Sequence, residues 1–320
     1  MTAAAHPAGD SPMVAVVGPT ASGKSALALR IAEELGGEIL STDSQQVYRH
    51  FDIGTAKPSA EERARVPHHL IDVVAPDETY SAGRYLRDAQ LLLGRLRTAG
   101  RLPVLCGGTG LYFRALLYGL AEIPPVPPAV REAVLALCEG EGLAACRAEL
   151  ARRDPEGAVR LHPNDRARIL RALEVHRATG RPLAGFQRDM PFREPPPHVL
   201  WVGTRWERAA LYARIDARVE EMLARGWVDE VRGILGRGYS SRCKPFRAIG
   251  YREIAAWLAE GEPVPEAALA APIARRTRQY AKRQLTWFGR QPGIRWAAPG
   301  EEARSVAEVR NFLKSGGRPR

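Results

Sequence analysis

The apolar and polar positions of the first 120 residues alternate between two periods. Short apolar runs predict buried strands at 13–17, 38–41 and 102–106, each followed by a glycine or a polar turn. Apolar positions recur at helical spacing over 25–35 and 80–99. Strands that alternate with helices predict a parallel sheet with helices on its faces. The inner side of the second helix is expected to carry Leu86, Leu91, Leu92 and Leu96.

A different pattern begins at residue 123. Four prolines fall within 123–128, and helical periodicity then runs over 129–179, broken at Asp154-Pro155 and His162-Pro163. A second proline cluster, Pro195–Pro197, closes this stretch. Beyond it, the pattern predicts strands at 198–202 and 293–297 and helices at 208–223, 251–258 and 272–288. We therefore predict a disordered tail over 1–12, a helical insertion over 123–196, and an α/β core built from 13–122 and 197–320.

Composition narrows the class of protein and its partners. Of the 320 residues, 47 are basic and 36 acidic, and the net charge is +11. The charge is −1 over 1–125 and +12 over 126–320, which favours a polyanionic partner for the second part. No apolar run is long enough to cross a membrane, and the N-terminus has no secretory signal. The four cysteines form no zinc or disulfide pattern, so we expect a reducing cytoplasm.

A glycine-rich loop follows the first strand and begins the first helix. The sequence GPTASGKS matches the pattern G-x-x-x-x-G-K-[ST] in the strand-to-helix context that the pattern requires. Its backbone N–H groups and the helix N-terminus would bind phosphate oxygens. Lys24 would hold a terminal phosphate, and the Ser25 hydroxyl suits Mg²⁺. The predicted diphosphate-binding residues are Gly18, Pro19, Thr20, Ala21, Ser22, Gly23, Lys24 and Ser25. The fold class is therefore α/β, a P-loop NTPase-like parallel sheet with an all-helical insertion.

The acidic residue at a strand end is Asp43, which follows the second strand. P-loop ATPases hold Mg²⁺ with an Asp at the end of an apolar strand, but 102–106 ends in Gly-Gly-Thr-Gly instead. Asp43 is expected at the edge of the sheet where ligands bind, and it could hold a metal, accept a proton or cap a helix. Thr109, in the Gly-Gly-Thr-Gly turn, could donate its hydroxyl to the same phosphates or only form the turn.

The basic half has one segment rich in cations. Six bases and no acid occur over 273–290, which favours nucleic acid over a solvated helix face. The run from Arg247 to Arg252 combines two arginines with Tyr251, which suits phosphate contact or base stacking. In the insertion, Arg166, Arg168 and Arg171 could contact a nucleic-acid backbone or only lie on a surface.

Taken together, these segments resemble the bacterial-type tRNA isopentenyltransferase (tRNA dimethylallyltransferase) family over almost the whole chain. The segments that carry the resemblance are GPTASGKS (18–25), STDSQQVYRHFDIGTAKP (41–58), VPHHLIDVVAPDETYSAGRY (66–85), CGGTGLYFRALLYGL (106–120), LHPNDRARILRALEVH (161–176), FRAIGYRE (246–253) and YAKRQLTWF (280–288). The resemblance implies transfer of a dimethylallyl group from dimethylallyl diphosphate to N6 of the adenine at position 37 of the tRNA anticodon stem-loop, in tRNAs reading codons that begin with U. The phosphate loop then holds diphosphate rather than ATP.

The resemblance also assigns roles to residues. Asp43 would be the general base; Lys24, Ser25 and Thr109 would hold the diphosphate with Mg²⁺; and Arg214 would help from across the channel, with Arg218 one turn away as the alternative. The remaining assignments are contacts with tRNA, made by Asp43, Ser44, Gln45, Gln46, Thr109, Arg131, Ala167, Arg168, Ile169, Leu170, Arg171, Arg247, Ala248, Ile249, Gly250, Tyr251, Arg252, Lys282, Arg283 and the rest of the segment to Gly289. The chain departs from eukaryotic members in lacking their Cys/His zinc finger.

Three other functions remain open from the sequence. The phosphate loop alone fits a small-metabolite kinase that uses ATP. A non-catalytic RNA-binding protein would keep the phosphate site for structure only. A third alternative, closer in chemistry to the first prediction, is prenyl transfer to free adenine nucleotides. The basic half and the insertion favour a macromolecular acceptor. We expect a monomer whose tRNA binding depends strongly on salt.

Overall fold

The computed structural model describes residues 11–188 and 198–317. The tail predicted for 1–12 lies outside the described residues except for Ser11 and Pro12, and the cluster Pro195–Pro197 lies outside them too. Contacts divide the described chain into two compact units. The first comprises 11–118 and 198–317, and the second comprises 119–188.

The first unit is built on one sheet of six parallel strands in the order β3-β2-β4-β1-β5-β6. The strands are β1 Met13–Val17, β2 Gly37–Ser41, β3 His68–His69, β4 Leu102–Gly107, β5 Val199–Thr204 and β6 Arg295–Ala297. The helices of the described residues in both units are α1 Lys24–Leu35, α2 Ala60–Arg65, α3 Ala82–Thr98, α4 Gly110–Tyr118, α5 Pro128–Gly140, α6 Gly142–Arg153, α7 Pro155–Arg160, α8 Arg166–Thr179, α9 Leu183–Arg188, α10 Arg208–Ala224, α11 Trp227–Gly236, α12 Tyr251–Ala259, α13 Ala270–Phe288 and α14 Glu302–Lys314. Two 3₁₀ turns span Lys244–Arg247 and Glu266–Leu269. This architecture confirms the predicted α/β class with a parallel sheet.

The middle of the sheet explains the unbroken apolar runs. β1 lies between β4 and β5, and Val14 pairs in register with Val104 on one side and Leu200 on the other. All five residues of β1 are buried, since helices cover both faces of the sheet. The phosphate loop therefore follows a strand that is paired on both sides and buried on both faces.

Helix α3 corrects one prediction about its inner face. The residues it buries are Tyr85, Ala89, Leu93 and Leu96. Leu91 is 71% exposed, so its predicted core position is wrong, while Leu86 and Leu92 are only partly buried. The turns of α3 that face the sheet are set by Tyr85, which stacks on Tyr112 of α4 at 4.1 Å between ring centroids. The face of α3 that carries Tyr85 is therefore the buried one, and Leu91 lies outside it.

The second unit is helical throughout its regular structure, from α5 to α9. Its core includes Val134, Leu150, Ile169 and Leu173, which are all fully buried. Asp154 and Asp165 each accept a backbone N–H at a helix N-terminus, which explains why the helices restart where the sequence pattern breaks. In the described part of the chain, no helix is long and apolar enough to cross a membrane.

Candidate active site

A cleft of about 860 Å³ opens at the carboxyl ends of β1, β2 and β4. This is the edge where parallel α/β sheets bind ligands. Much of its lining comes from the phosphate loop, the segment after β2, the loop 52–58, the end of β4, α10, 247–249 and α13. Segments far apart in the sequence thus converge on one site within the first unit.

The phosphate loop has the backbone shape that an anion site needs. Gly23, with φ +87°, is the N-cap of α1, and Ala21 also has a positive φ of +63°. The first amide groups of α1 have no partner within the helix, so they remain available to an anion beside Gly23. Gly18 is required for packing, because a Cβ there would lie 2.4 Å from Thr204 Oγ1.

Side chains from three other segments hold this loop in place by hydrogen bonds. The Ser22 and Thr204 hydroxyls are 2.6 Å apart, and Trp206 Nε1 donates to the Ser22 carbonyl over 2.9 Å. Thr20 N donates to Gln284 Oε1 over 2.9 Å. Arg214 Nε donates to the Ala21 carbonyl over 3.0 Å, and its guanidinium lies 4.2 Å from the Trp206 ring centroid. These hydrogen bonds fix the shape of the loop.

Lys24 is half-buried at the start of α1 and lines the cleft. Its Nζ donates to the Pro19 carbonyl over 3.2 Å. Burial lowers the pKa of Lys24, and the charge of Arg218 lowers it further, while Cys106 and the Asp43 carboxylate oppose the shift. The ammonium is thus short of negative partners, as expected of a group that binds an anionic ligand. Ser25, next along the chain, is exposed to the cleft.

Asp43 also lines the cleft, on the segment that leaves β2. Its Oδ1 accepts the Gln45 backbone N–H over 2.8 Å, so it does form its own turn. The charge of the same carboxylate raises the pKa of Lys24, so the two charged groups interact across the cleft. Capping and chemistry are therefore compatible at this residue rather than alternatives.

The neighbours of Asp43 differ in how much of their hydrogen-bonding capacity is free. Thr109 Oγ1 accepts the Ser44 N–H over 3.0 Å, which joins the turns after β4 and β2. The Gln46 amide is committed: it accepts from Ser41 Oγ at 2.8 Å and donates to the carbonyls of the loop 55–56. By contrast, Gln45 Oε1 is buried with no hydrogen-bond partner in the described structure. Gln45 therefore offers a free acceptor beside the Asp43 turn.

The two arginines of α10 that the sequence left open occupy different places. Arg214 lines the cleft and donates to the Ala21 carbonyl of the phosphate loop. Arg218 lines the same cleft, and its charge depresses the pKa of Lys24. Burial also lowers the pKa of Arg218 itself. Both guanidinium groups add positive charge to the region of the phosphate loop.

Of the basic residues predicted to bind tRNA, some are free and some are paired. Arg247 and Arg283 are exposed and line the cleft, and Lys282 is exposed beside Arg283. Arg252 and Arg276 both pair with Glu253 at 3.0 Å. Arg278 pairs with Asp216. The positive face that 273–290 presents is therefore smaller than its composition suggests.

The structure corrects the prediction that Tyr251 stacks on a base. Its side chain is fully buried against Phe51, with 4.6 Å between ring centroids. Its hydroxyl accepts the Gly54 N–H over 3.0 Å and donates to Glu230 over 2.5 Å. Tyr251 therefore fixes the loop 52–58 through its hydroxyl. Gly250 is buried beside it, and Ala248 and Ile249 line the cleft.

The predicted tRNA contacts of the insertion all lie in the second unit. Arg131, Ala167 and Arg168 are exposed, and Arg171 is half-buried beside Glu174 at 3.4 Å. The side chains of Ile169 and Leu170 are buried in the core of this unit. Within the segment 167–171 these two side chains face inward, because alternate positions of a helix cannot all face outward, and the contact of the segment with tRNA stays a prediction.

Sequence reasoning included Gln284 only within the segment 282–289 predicted to contact tRNA and missed its place in the cleft. It lies on the buried stripe of α13 together with Ile273, Ala281 and Phe288, and it is 6% exposed. A polar residue on an otherwise apolar stripe was the available signal. No cluster of three or more acidic, cysteine or histidine side chains suited to a metal occurs among the described residues.

Known proteins resemble this chain over nearly all its length. A family model described as IPP transferase matches residues 46–291, and one described as isopentenyl transferase matches 12–72. The tRNA dimethylallyltransferase 2 of Syntrophus aciditrophicus is 45% identical over 302 residues, which are 94% of this chain and 96% of that protein. The structure of tRNA isopentenylpyrophosphate transferase from Bacillus halodurans superposes with a TM-score of 0.68 at 36% identity, covering 96% of each chain. A eukaryotic dimethylallyltransferase acting on tRNA gives 0.81 at 25% identity, covering 95% of this chain and 80% of that one.

Proposed function

The chain belongs to the tRNA dimethylallyltransferase family, and from that premise we propose that it transfers a dimethylallyl group from dimethylallyl diphosphate to N6 of the adenine at position 37 of tRNAs reading codons that begin with U. Diphosphate is the second product. The observation that carries this proposal is the cleft itself, where a preformed phosphate loop and the Asp43 carboxylate lie in one cavity. The phosphate loop is suited to bind the leaving diphosphate, and the Asp43 carboxylate is suited to accept a proton from the attacking amine.

The phosphate loop serves the leaving group. As the bond between C1 of the dimethylallyl group and the diphosphate oxygen breaks, its electron pair stays on that oxygen. Backbone N–H groups at the start of α1 and the Lys24 ammonium stabilise the added negative charge. These donors are already oriented, because hydrogen bonds from other segments hold Ser22, Thr20 and Ala21 in place. Little reorganisation is then needed during the reaction.

The Asp43 segment serves the acceptor. Attack by N6 on C1 leaves a cationic nitrogen, and the Asp43 carboxylate takes its proton. The unpartnered Gln45 Oε1 is the type of acceptor that an exocyclic amine requires. A base stacked in the anticodon loop cannot enter such a cleft, so the adenine must leave the stack. Enclosure also keeps water away from the allylic carbon.

A divalent cation, Mg²⁺, completes the proposal. The Ser25 hydroxyl and the Asp43 carboxylate line the same cleft, and the described residues offer no larger acidic cluster. This donor set fits Mg²⁺, which prefers few protein ligands and takes the rest from phosphate oxygens and water. When bound, the ion would neutralise charge on the diphosphate.

The tRNA contacts are proposed for the exposed bases of both units. In the first unit these are Arg247, Lys282 and Arg283, and in the second they are Arg131 and Arg168. This assigns catalysis to the α/β unit and part of tRNA binding to the helical unit. We also propose that the enzyme acts as a monomer, in which one chain supplies all of these groups.

The test is mass analysis of tRNA nucleosides after incubation with dimethylallyl diphosphate and Mg²⁺. Wild type should yield the dimethylallyl adenosine, while Asp43→Asn should lower kcat by roughly 10²- to 10⁴-fold and leave tRNA affinity unchanged. Asp77→Asn, an exposed carboxylate in the turn before α3, is the matched control. Unmodified tRNA with wild type, or equal modification of AMP and tRNA, would contradict the proposal.

A further inference from the structure

The side chain of Gln284 joins two loops of the cleft. Its Oε1 accepts the Thr20 N–H over 2.9 Å, and its Nε2 donates to the Gly108 carbonyl over 3.1 Å. Thr20 belongs to the phosphate loop after β1, and Gly108 belongs to the turn after β4. A single amide on α13 therefore bridges the exits of two adjacent strands.

The connection continues from Gly108 to the proposed base. Thr109 follows Gly108, and its hydroxyl accepts the Ser44 N–H over 3.0 Å. Ser44 follows Asp43, whose carboxylate caps this turn through Gln45 N. Since β4 lies between β1 and β2, these bonds form one path across the strand ends, from the phosphate loop to Asp43.

The fit around Gln284 leaves little room for other arrangements. A Cβ on residue 108 would lie 2.0 Å from Gln284 Nε2, so a larger residue there would displace the Gln284 amide. A buried amide is costly unless both of its ends are bonded, and both ends of Gln284 are. An apolar residue would satisfy the stripe of Ile273, Ala281 and Phe288 equally well. The polar group is therefore explained by the loops rather than by the helix.

We propose that Gln284 is a positioning residue that fixes the distance between the diphosphate loop and Asp43. This rests on the proposed function, because the distance matters only if leaving group and base act on the same transfer. Its neighbours Lys282 and Arg283 are exposed bases of the same helix. Gln284 therefore also ties the helix proposed to bind tRNA to both halves of the reaction.

The first test compares Gln284→Met with Gln279→Met. Methionine keeps the length of the side chain and removes both bonds, and Gln279 is an exposed glutamine of the same helix. We expect kcat to fall on the order of 10- to 100-fold in Gln284→Met, because small misplacements of reacting groups have effects of that size. The dissociation constant for tRNA should stay at the wild-type value. Gln279→Met should match wild type in both.

Different outcomes contradict different statements. Wild type is assayed first, and absence of transfer there contradicts the proposed function. If wild type is active, equal kcat in the two glutamine variants overturns the role of Gln284. So does a loss confined to tRNA affinity, since Gln284 would then act as an RNA contact. If Gln284→Met does not fold, Gln284→Glu replaces it: it keeps the acceptor for Thr20 N and loses the donor to Gly108, and kcat should still fall.

A double-mutant cycle tests the path itself. Thr109→Val breaks the next bond along it, between Thr109 and Ser44. If both residues act through one path, the double variant should lose less activity than the product of the two single losses. Fully multiplicative losses would show that the residues act independently and would overturn the proposed link.

Discussion

At the scale of single residues, Lys24 has an environment that works against its charge. Burial and Arg218 lower the pKa of its ammonium, and Asp43 only partly compensates. The proposed diphosphate would resolve this conflict, because it would supply the negative charge that the protein does not. The Lys24 ammonium is therefore suited to bind an anion, and its titration can be measured.

The pH dependence of diphosphate use follows from this lowered pKa. Only the protonated ammonium binds the diphosphate well, so affinity is retained below the Lys24 pKa and lost as pH rises through it. The alkaline limb of kcat/KM for dimethylallyl diphosphate should thus fall at a lower pH than the pKa of a solvated lysine, about 10.4. Lys24→Arg, which stays protonated, should remove this limb. A limb that persists in Lys24→Arg would assign the titration to another group.

At the scale of elements, the loop 52–58 is held in place by hydrogen bonds from helices far along the chain. Glu230 of α11 accepts the N–H groups of Asp52 and Ile53 over 3.0 and 2.7 Å. Tyr251 of α12 adds the bond from Gly54 N and donates to Glu230. This loop lines the cleft, so α11 and α12 act on the site by shaping its wall.

Removal of the Tyr251 hydroxyl should therefore destabilise the protein. In Tyr251→Phe, Gly54 N–H loses its acceptor and Glu230 loses a donor in a buried place. We expect the free energy of unfolding to fall by about 1 to 3 kcal/mol, as measured by denaturant titration. Tyr239→Phe is the matched control, because that hydroxyl has no hydrogen-bond partner among the described residues. Equal stability of the two variants would show that the Tyr251 bonds contribute nothing net.

What could be predicted from the sequence was local in origin. The strands β1 and β4 and the phosphate loop are continuous patterns, so their positions follow from spacing alone. The solvent position of Leu91 and the burial of Tyr251 depend on which element packs nearby, and no local pattern contains that information. Gln284 is the extreme case, since its two partners lie 264 and 176 residues away in the sequence. The residues of the motifs were thus predictable, but the bonds that hold them were not.

At the scale of the whole molecule, charge is divided between units and partly neutralised within them. Arg177 and Arg153 both pair with Glu149 inside the helical unit, for example. Paired arginines add to the count of basic residues, but the carboxylate beside them offsets their charge. Lys282 in the first unit and Arg131 in the second are exposed and have no carboxylate partner among the described residues. These free cations, rather than the total charge, should determine how tRNA binding responds to salt.

We expect log Kd for tRNA to rise linearly with log salt in wild type, because binding releases counterions. Lys282→Gln and Arg131→Gln should each reduce that slope by about 1, as the loss of one phosphate contact does. The two reductions should add in the double variant, since the residues belong to separate units and share no partner. The measurement is a set of binding titrations over a range of salt concentrations. KM for dimethylallyl diphosphate should not change in any of these variants.

The control for this prediction is Arg304→Gln in α14, an exposed arginine already paired with Glu301 and Glu308. Its charge is compensated at the surface, so its removal should leave the salt slope of tRNA binding as in wild type. If Arg304→Gln lowers the slope as much as Lys282→Gln does, tRNA responds to the overall charge and no defined surface binds it. If only Lys282→Gln lowers it, the helical unit makes no phosphate contact through Arg131. Reduction by both Lys282→Gln and Arg131→Gln, without any effect of Arg304→Gln, would place one tRNA against both units.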